Sequence, residues 1–409
     1  MIRRRHVFYV EGYDPQGAAG YYRMFRREWK RFVDTWRVTS AVGELEIDSD
    51  DIAHWDVDTA GPNWRVETRY EFLRMEAFIG GNMAQPLVWQ IPRALRWMAS
   101  DLACGVLVRI FRAAWRFGLH LIFPQMLLLA WILTSAGGGS LLGLAAARWA
   151  GVPAFAAIML GAAVGLAIFA ALRPLADRWF VIQVTNGWPY LREFARGAPS
   201  GFDRSVEVLA RRLVEAARGG VADELLVVSH SAGCVISPAI VARALELDPA
   251  LGQHGPKVAL LTVGSLMPAF ALHPAAHRLR SAIRRIAVEP TLLWVDCQAR
   301  KDVMNFWDFD PVGGVGIEVG SERRNPTVWI VRFRDMLSDA VYQRLRFSYF
   351  RMHYQFVMGN DQRGSYDYFM LACGPATVAS WASGPDETFH RFSADAAYAG
   401  GAETVAAAG

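Results

Sequence analysis

Ser231 has the residue type and the setting of a nucleophile. The stretch Glu224–Gly233 reads Glu-Leu-Leu-Val-Val-Ser-His-Ser-Ala-Gly. An apolar run of strand length stops at Ser229, and a helix-like segment, Cys234–Leu247, follows Gly233. A strand, a tight turn with serine at its apex and a helix make a nucleophile elbow, in which the strained turn pushes the hydroxyl into the open. Small residues two before and two after the serine let the strand and helix backbones approach closely. Here those residues are Ser229 and Gly233, so the motif is a Ser-x-Ser-x-Gly variant with serine where glycine is usual. The plainer alternative is a polar strand-to-helix turn with an N-capping serine.

An elbow serine needs a base to take its proton and an acid to orient the base. With this kind of elbow the chain order is serine, acid, histidine, the acid and histidine lying in loops after later strands. The strand-like run Thr291–Cys297 leads into Gln-Ala-Arg-Lys-Asp, which puts Asp302 in such a loop. Asp296 would point into the sheet. Asp308 and Asp310, in Trp-Asp-Phe-Asp-Pro, remain alternatives to Asp302. Two histidines lie beyond the last strand, and His353 is preferred to His390, which sits close to the carboxy-terminal tail. His230, inside the turn, reads as structural. His273 and His277 could share a helix face but lack the glutamate and third ligand of a zinc site, so no metal or other cofactor is expected. His120 reads as interfacial.

The elements that must position these groups follow from the apolar pattern. His6–Val10 reads as a strand, Glu11–Gly17 as a turn-rich loop and Gly20–Trp36 as a helix. Arg37–Ile47 and Ala53–Val57 read as strands, and Asn63–Ile79 as a helix broken by Gly80-Gly81-Asn82. Trp179–Thr185 is strand-like and Asn186–Gly201 a loop. Phe202–Arg218 is a helix, Lys257–Val263 a strand, His273–Val288 a helix and Thr327–Phe333 a strand. Tyr342–Met358 is helical, and the Ala- and Gly-rich tail from Ala394 is expected to be disordered. Alternation of helix and strand from residue 202 onward predicts an α/β fold, a mostly parallel central sheet with helices on both faces.

Composition sets the surroundings. Hydrophobic residues make up 53% of the 409 residues, and the mean hydropathy is +0.15, which points to membrane-embedded sequence. Gly118–Ala136 carries no formal charge, and Ser140–Leu172 is interrupted only by Arg148, Gly151 and Pro153. A bilayer-spanning helix needs about 20 apolar residues. Two spans near 118–136 and 152–172 are therefore expected, with Gly137-Gly138-Gly139 opening a flexible connector. Gly161, Ala162, Ala163, Gly165 and Ala167 would let the two helices approach closely. Trp115, Trp131, Trp149 and Trp179 would contribute to interfacial belts. Gln85–Phe117, with Trp and Leu among Arg93, Arg96, Arg109, Arg112 and Arg116, reads as interfacial helix. Arg109, Arg112, Arg116, Arg173 and Arg178 flank the hairpin and only Arg148 lies in the connector, so both flanks should face the cytoplasm. Dispersed arginine at a net charge of +4 is a poor nucleic-acid footprint. Four scattered cysteines form no disulfide framework and fit a reducing compartment.

Taken together, Val7–Gly12, Val-Val-Ser-His-Ser-Ala-Gly at 227–233, Thr-Val-Gly-Ser at 262–265, the Asp302 loop and His353 resemble an α/β-hydrolase of the serine lipase and esterase type. The resemblance covers both ends of the chain but not 80–178, and it departs from the family at Ser229 and at Glu11, where His is usual. It implies Ser231 as nucleophile, His353 as base, Asp302 as orienting acid, and the Ala232 and Tyr13 amides as oxyanion donors. The expected organisation is a split catalytic domain (1–79 and 173–393), an interfacial segment (80–117), a transmembrane hairpin (118–172) and a tail (394–409). The expected activity is cleavage of a carboxylic ester, lipid-derived or otherwise apolar, at the cytoplasmic face of a bacterial-type inner membrane. An acyltransferase using the same serine, a catalytically inactive tethered scaffold and a transport component are the alternatives. The last is disfavoured by the near absence of charge within the spans. The expected partners are the lipid bilayer and an ester substrate, with no nucleic acid and the oligomeric state left open.

Overall fold

The computed structural model describes residues 1–178 and 181–400, the side chains of 182–184 excepted. The chain divides into two compact units, one of Met1–Gly81 with Leu191–Gly409, the other Asn82–Tyr190.

The first unit is built on a sheet of nine strands among the described residues: β1 (Arg4–Val10), β2 (Thr39–Val42), β3 (Glu46–Ile47), β4 (Ile52–Gly61), β5 (Trp64–Leu73), β6 (Glu224–His230), β7 (Lys257–Val263), β8 (Leu292–Gln298) and β9 (Thr327–Ile330). Their order is β2-β4-β5-β1-β6-β7-β8-β9, with β3 paired to β4. From β5 to β9 neighbours run parallel, and β2, β3 and β4 add an antiparallel edge. The protein is thus α/β with a mostly parallel, mixed sheet. The central strands β1, β6 and β7 are almost wholly buried, which is why they read as continuous apolar runs.

The antiparallel edge departs from the sequence expectation. Asn63–Ile79 is not a helix: β4 and β5 form a hairpin in which Gly61 pairs with Trp64. In β5, Trp64, Val66, Thr68, Tyr70 and Phe72 are buried while Arg65 and Glu67 are exposed. That is a period of two, carried by β-branched and aromatic residues. The Arg37–Ile47 strand is broken into β2 and β3.

Helix α1 (Gly17–Trp36) turns Tyr21, Phe25, Trp29, Phe32 and Trp36 inward at helical spacing. They join one core cluster with Val7, Tyr9, Leu226, Val228 and Val263. Helix α2 (Glu76–Met83) runs through Gly80 and Gly81, which do not break it.

The second unit contains α3 (Leu87–Ala103), α4 (Val106–Ala113), α5 (Trp115–Trp149) and α6 (Ala154–Arg178). Helices α5 and α6 are long and apolar enough to cross a membrane, with mean hydropathies of 1.7 and 2.4 over their most apolar stretches. Gly137-Gly138-Gly139 is not a flexible break but part of α5, whose 35 residues span about 52 Å. A packing requirement explains the glycine at 139. A Cβ there would lie 2.3 Å from Gly161 O, and one on Gly143 would lie 2.7 Å from Ala157 O. Gly139, Gly143, Gly161 and Gly165 therefore form a small-residue seam that lets two backbones touch. Outside the seam, Leu133, Leu141, Leu144, Phe155, Ile158 and Leu166 are exposed. The connector contracts to residues 150–153, and Arg148 sits in the last turn of α5. Trp131 is buried rather than interfacial: its ring stacks on Phe169 at 4.1 Å and its Nε1 donates to Phe169 O at 3.0 Å.

Helix α7 (Val181–Arg196) replaces both the strand expected at Trp179–Thr185 and the loop expected after it. Residues 179 and 180 of that expectation, and the placement of Trp179, lie outside the described residues. In the first unit follow α8 (Phe202–Gly219), α9 (Gly233–Leu247), α10 (Met267–Ala271) and α11 (His277–Ala287), the last shorter than the His273–Val288 helix expected. Phe8, Leu225 and Val227, outside the α1 cluster, are fully buried, and α8 and α9 contact β1 and β6. Three short helices come next, α12 (Phe333–Met336), α13 (Asp339–Leu345) and α14 (Tyr349–Tyr354), the last two replacing a single Tyr342–Met358 helix. As far as residue 400 the tail is packed rather than disordered: Ala396 and Tyr398 are buried, and Tyr398 bridges to Phe392. Residues 401–409 lie outside the described residues.

Candidate active site

The turn between β6 and α9 holds Ser231 at φ +58, in the left-handed region that side chains other than glycine rarely adopt. Such a residue costs on the order of 1–3 kcal/mol and persists where its surroundings over-determine it. Here its N–H donates to Val263 O at 3.1 Å, and its carbonyl accepts from Cys234 N and Leu266 N, each at 3.2 Å. The turn is thereby tied to the end of β7 and the start of α9.

The small neighbours can now be explained individually. A Cβ on Gly233 would lie 2.3 Å from Val10 O and 2.6 Å from Glu11 O, so only glycine lets α9 begin this close to the end of β1. Ser229 tolerates its side chain because the hydroxyl is absorbed by α9, meeting Ser237 Oγ at 2.8 Å. A Cβ on Gly12 would lie 3.5 Å from Ser231 Oγ and 3.6 Å from Ala232 N. Gly12 therefore keeps open the space where the hydroxyl and the Ala232 amide converge, and Tyr13 follows it in the same loop.

His353, on α14, and Asp302, after β8, meet although they are 51 residues apart: His353 Nδ1 donates to Asp302 Oδ2 at 2.7 Å. Both are buried. Asp302 Oδ1 accepts from Met304 N at 2.8 Å, and Asn305 Nδ2 ties the loop by donating to Ala299 O and Asp302 O. Burial alone would raise the Asp302 carboxyl, but the charge and hydrogen bond of His353, with the Met304 and Asn305 donors, hold it below the usual carboxylate range. With Nδ1 donating, the lone pair of a neutral His353 lies on Nε2, which is buried and makes no hydrogen bond among the described residues. The His353 ring borders the elbow. Its Cε1 lies 3.0 Å from the position of a Cβ on Gly264, next to the Val263 carbonyl that receives the Ser231 N–H.

The alternatives are engaged elsewhere. Asp310 holds Arg323 through two bonds of 2.6 and 2.7 Å, and Asp308 is exposed. Asp296 is buried in β8, bound by Thr262 and Gln298, and burial pushes its carboxyl up to about 6. His390 Nδ1 donates to Asp386 O at 2.6 Å. His273 precedes α11, so it shares no helix face with His277. Among the described residues, no three metal-ligating side chains converge at Ser231.

The surroundings of three residues could not be read from the sequence. Asn305 secures the Asp302 loop, and its only signal was polarity within an aromatic run. Glu11, the departure from the expected histidine, is buried, and burial followed by the charges of Asp14 and Glu76 raises its carboxyl well above the usual range. Tyr354, next to His353, donates its hydroxyl to Asp14 Oδ2 at 3.2 Å.

The arrangement offers a hydroxyl on a strained turn, an amide niche beside it, and an imidazole with a free lone pair held by a buried carboxylate. Compared with protein-family models, curated proteins and solved structures, the chain matches none.

Proposed function

We propose that the protein is a membrane-anchored serine hydrolase that cleaves a carboxylic ester through an acyl-enzyme on Ser231. The observation that carries this reading is the combination of a left-handed Ser231 at the β6–α9 turn with the buried Asp302–His353 pair beside the same strand ends. An N-capping serine has no use for a left-handed backbone, and a solvated loop carboxylate has no use for a buried imidazole.

In the proposed reaction the Ser231 hydroxyl attacks the ester carbonyl carbon while His353 Nε2 takes its proton. Asp302 holds the Nδ1–H and stabilises the imidazolium without itself taking the proton. The tetrahedral oxyanion is met by the Ala232 amide, with the Tyr13 amide as the second donor across the niche that Gly12 leaves open. Collapse expels the alcohol, which receives the proton from His353. Water, deprotonated by the same imidazole, then releases the acid and restores the serine.

The anchor is the α5–α6 hairpin. Its outward side chains are leucine, isoleucine and phenylalanine, and 11% of the most apolar stretch of α6 is buried, as suits helices solvated by lipid. The arginine asymmetry favours both hairpin ends, and with them Ser231, on the cytoplasmic side. An apolar acyl group is the substrate class such a location favours. The test is a fluorophosphonate probe applied to membranes containing the protein or its Ser231→Ala variant. Labelling that disappears with Ser231 is expected, and a folded protein that does not label would refute the enzyme. Graded-length esters would then report acyl preference, and release of the protein by alkaline carbonate would refute the anchor.

A further inference from the structure

His230 is a titratable group at the elbow that the proposed reaction does not use. It is fully buried, with its ring 4.6 Å from that of His353 and 4.9 Å from that of Tyr354. Its Nε2 lies 3.2 Å from the main-chain oxygen of His353. A carbonyl oxygen can only accept, so Nε2 carries the proton and Nδ1 the lone pair. Nδ1 is buried with no hydrogen-bond partner among the described residues.

This is a poor way to fill space. An unpaired buried acceptor is destabilising, and a phenylalanine would occupy the same aromatic pocket without one. The imidazole supplies one thing that an apolar ring cannot, the N–H donated to His353 O. Burial, and then the charge of His353, push the His230 pKa down to about 3. His230 therefore stays neutral and brings no second positive charge against the imidazolium that forms during reaction. The next residue along, Tyr354, is bound through its hydroxyl to Asp14 in the loop after β1. The main chain at 353–354 is thus tied to the nucleophile turn on one side and to the Gly12 loop on the other.

We propose that His230 is a positioning residue for the base: its Nε2–H anchors the His353 carbonyl and its ring backs the His353 ring. Together they hold His353 in the orientation where Nδ1 meets Asp302 and Nε2 is left to take the serine proton. This role rests on the serine hydrolase reading, and it explains why the residue between Ser229 and Ser231 is a histidine.

The test compares His230→Gln with His230→Phe in the full-length protein in detergent micelles. The Gln amide N–H reaches where Nε2 stood, whereas Phe keeps the ring and loses the donor. Positioning predicts that Phe lowers the rate of Ser231 phosphonylation and kcat for an ester by roughly 10- to 100-fold with KM unchanged, and that Gln restores most of the rate. A space-filling role predicts the reverse order, and that order, or two variants at the unmodified rate, would overturn the proposal. No Ser231-dependent labelling in the unmodified protein would overturn the hydrolase reading and this role with it. Should neither variant fold, histidine nitrogen NMR of the unmodified protein decides: His230 should remain the Nε2–H tautomer between pH 8 and 5, and an Nδ1–H tautomer would overturn the proposal.

Discussion

Replacing Gly233 with alanine adds one methyl group at the point where the Ser231 turn meets the end of β1. The new Cβ would start 2.3 Å from Val10 O and 2.6 Å from Glu11 O, both main-chain atoms that no side-chain rotation can move aside. Ordinary carbon–oxygen contact requires about 1 Å more, so either the Val10–Gly12 segment retreats or α9 lifts away. Overpacking of this kind costs about 1–3 kcal/mol of stability. The functional cost should be larger in proportion, because both relief routes open the niche between Gly12 and the Ala232 amide. A misplacement of about 1 Å at a reacting centre costs on the order of 100-fold in rate. The assay is the second-order rate of Ser231 phosphonylation, measured beside the thermal midpoint. Gly219→Ala serves as control, since nothing lies within 4 Å of a Cβ there. The expected result is a Gly233→Ala protein that still melts cooperatively but labels about 100-fold more slowly, with the control unchanged. A Gly233→Ala variant that labels at the unmodified rate would refute the claim that this close approach shapes the site.

Asp302→Asn should lower kcat by about 10³–10⁴-fold with little change in thermal midpoint, because the amide no longer enforces the Nδ1–H tautomer of His353. Asp310→Asn, which disturbs the Arg323 pair and the loop bond from Val312 N but touches neither Asp302 nor His353, should leave kcat within twofold. Acidification should destabilise the first unit well before ordinary carboxylates titrate. His230 is neutral in the fold down to about pH 3 but protonates near 6.5 when unfolded, so the unfolded state binds the extra proton in that window and stability falls with pH. Between pH 6.5 and 4 this amounts to about 3 kcal/mol, and a calorimetric pH series should show His230→Phe flattening the loss. In the hairpin, Gly161→Leu places a Cβ 2.8 Å from Gly139 O and should lower the thermal midpoint of the protein in detergent micelles. Gly137→Leu, with nothing within 4 Å of its Cβ, should leave that midpoint unchanged.

Much of the architecture was legible in the chain because its signals are local. The almost wholly buried strands β1, β6, β7 and β8 are short apolar runs bounded by breakers, and the turn at Ser231 is a five-residue pattern. The charge-free lengths of α5 and α6 need no tertiary information either. Local pattern failed where two periods compete or where a glycine has more than one use. In Asn63–Leu73 the alternation of Trp64, Val66, Thr68, Tyr70 and Phe72 was obscured by the arginines and glutamates between them, and pairing with β4 decided for strand. Gly137-Gly138-Gly139 looks like a hinge until Gly161 is seen against Gly139; the missing side chain serves contact, not flexibility.

The site divides in the same way. The sequence alone determined that a serine stands at the apex of a strand–turn–helix with glycine two residues beyond it, and that three aspartates and then two histidines, His353 and His390, lie downstream in the right order. It could not decide among the aspartates, because Asp302, Asp308 and Asp310 differ in partner and burial rather than in local pattern. The tertiary structure assigned Asp310 to Arg323, left Asp308 in solvent and buried Asp302 against His353. It also gave the histidine of the turn a partner more than a hundred residues away. The physical reason is common to these cases. Secondary structure is set by side-chain periodicity along the chain, whereas desolvation and hydrogen bonding between distant residues exist only once the sheet has brought the ends of β6, β7 and β8 together.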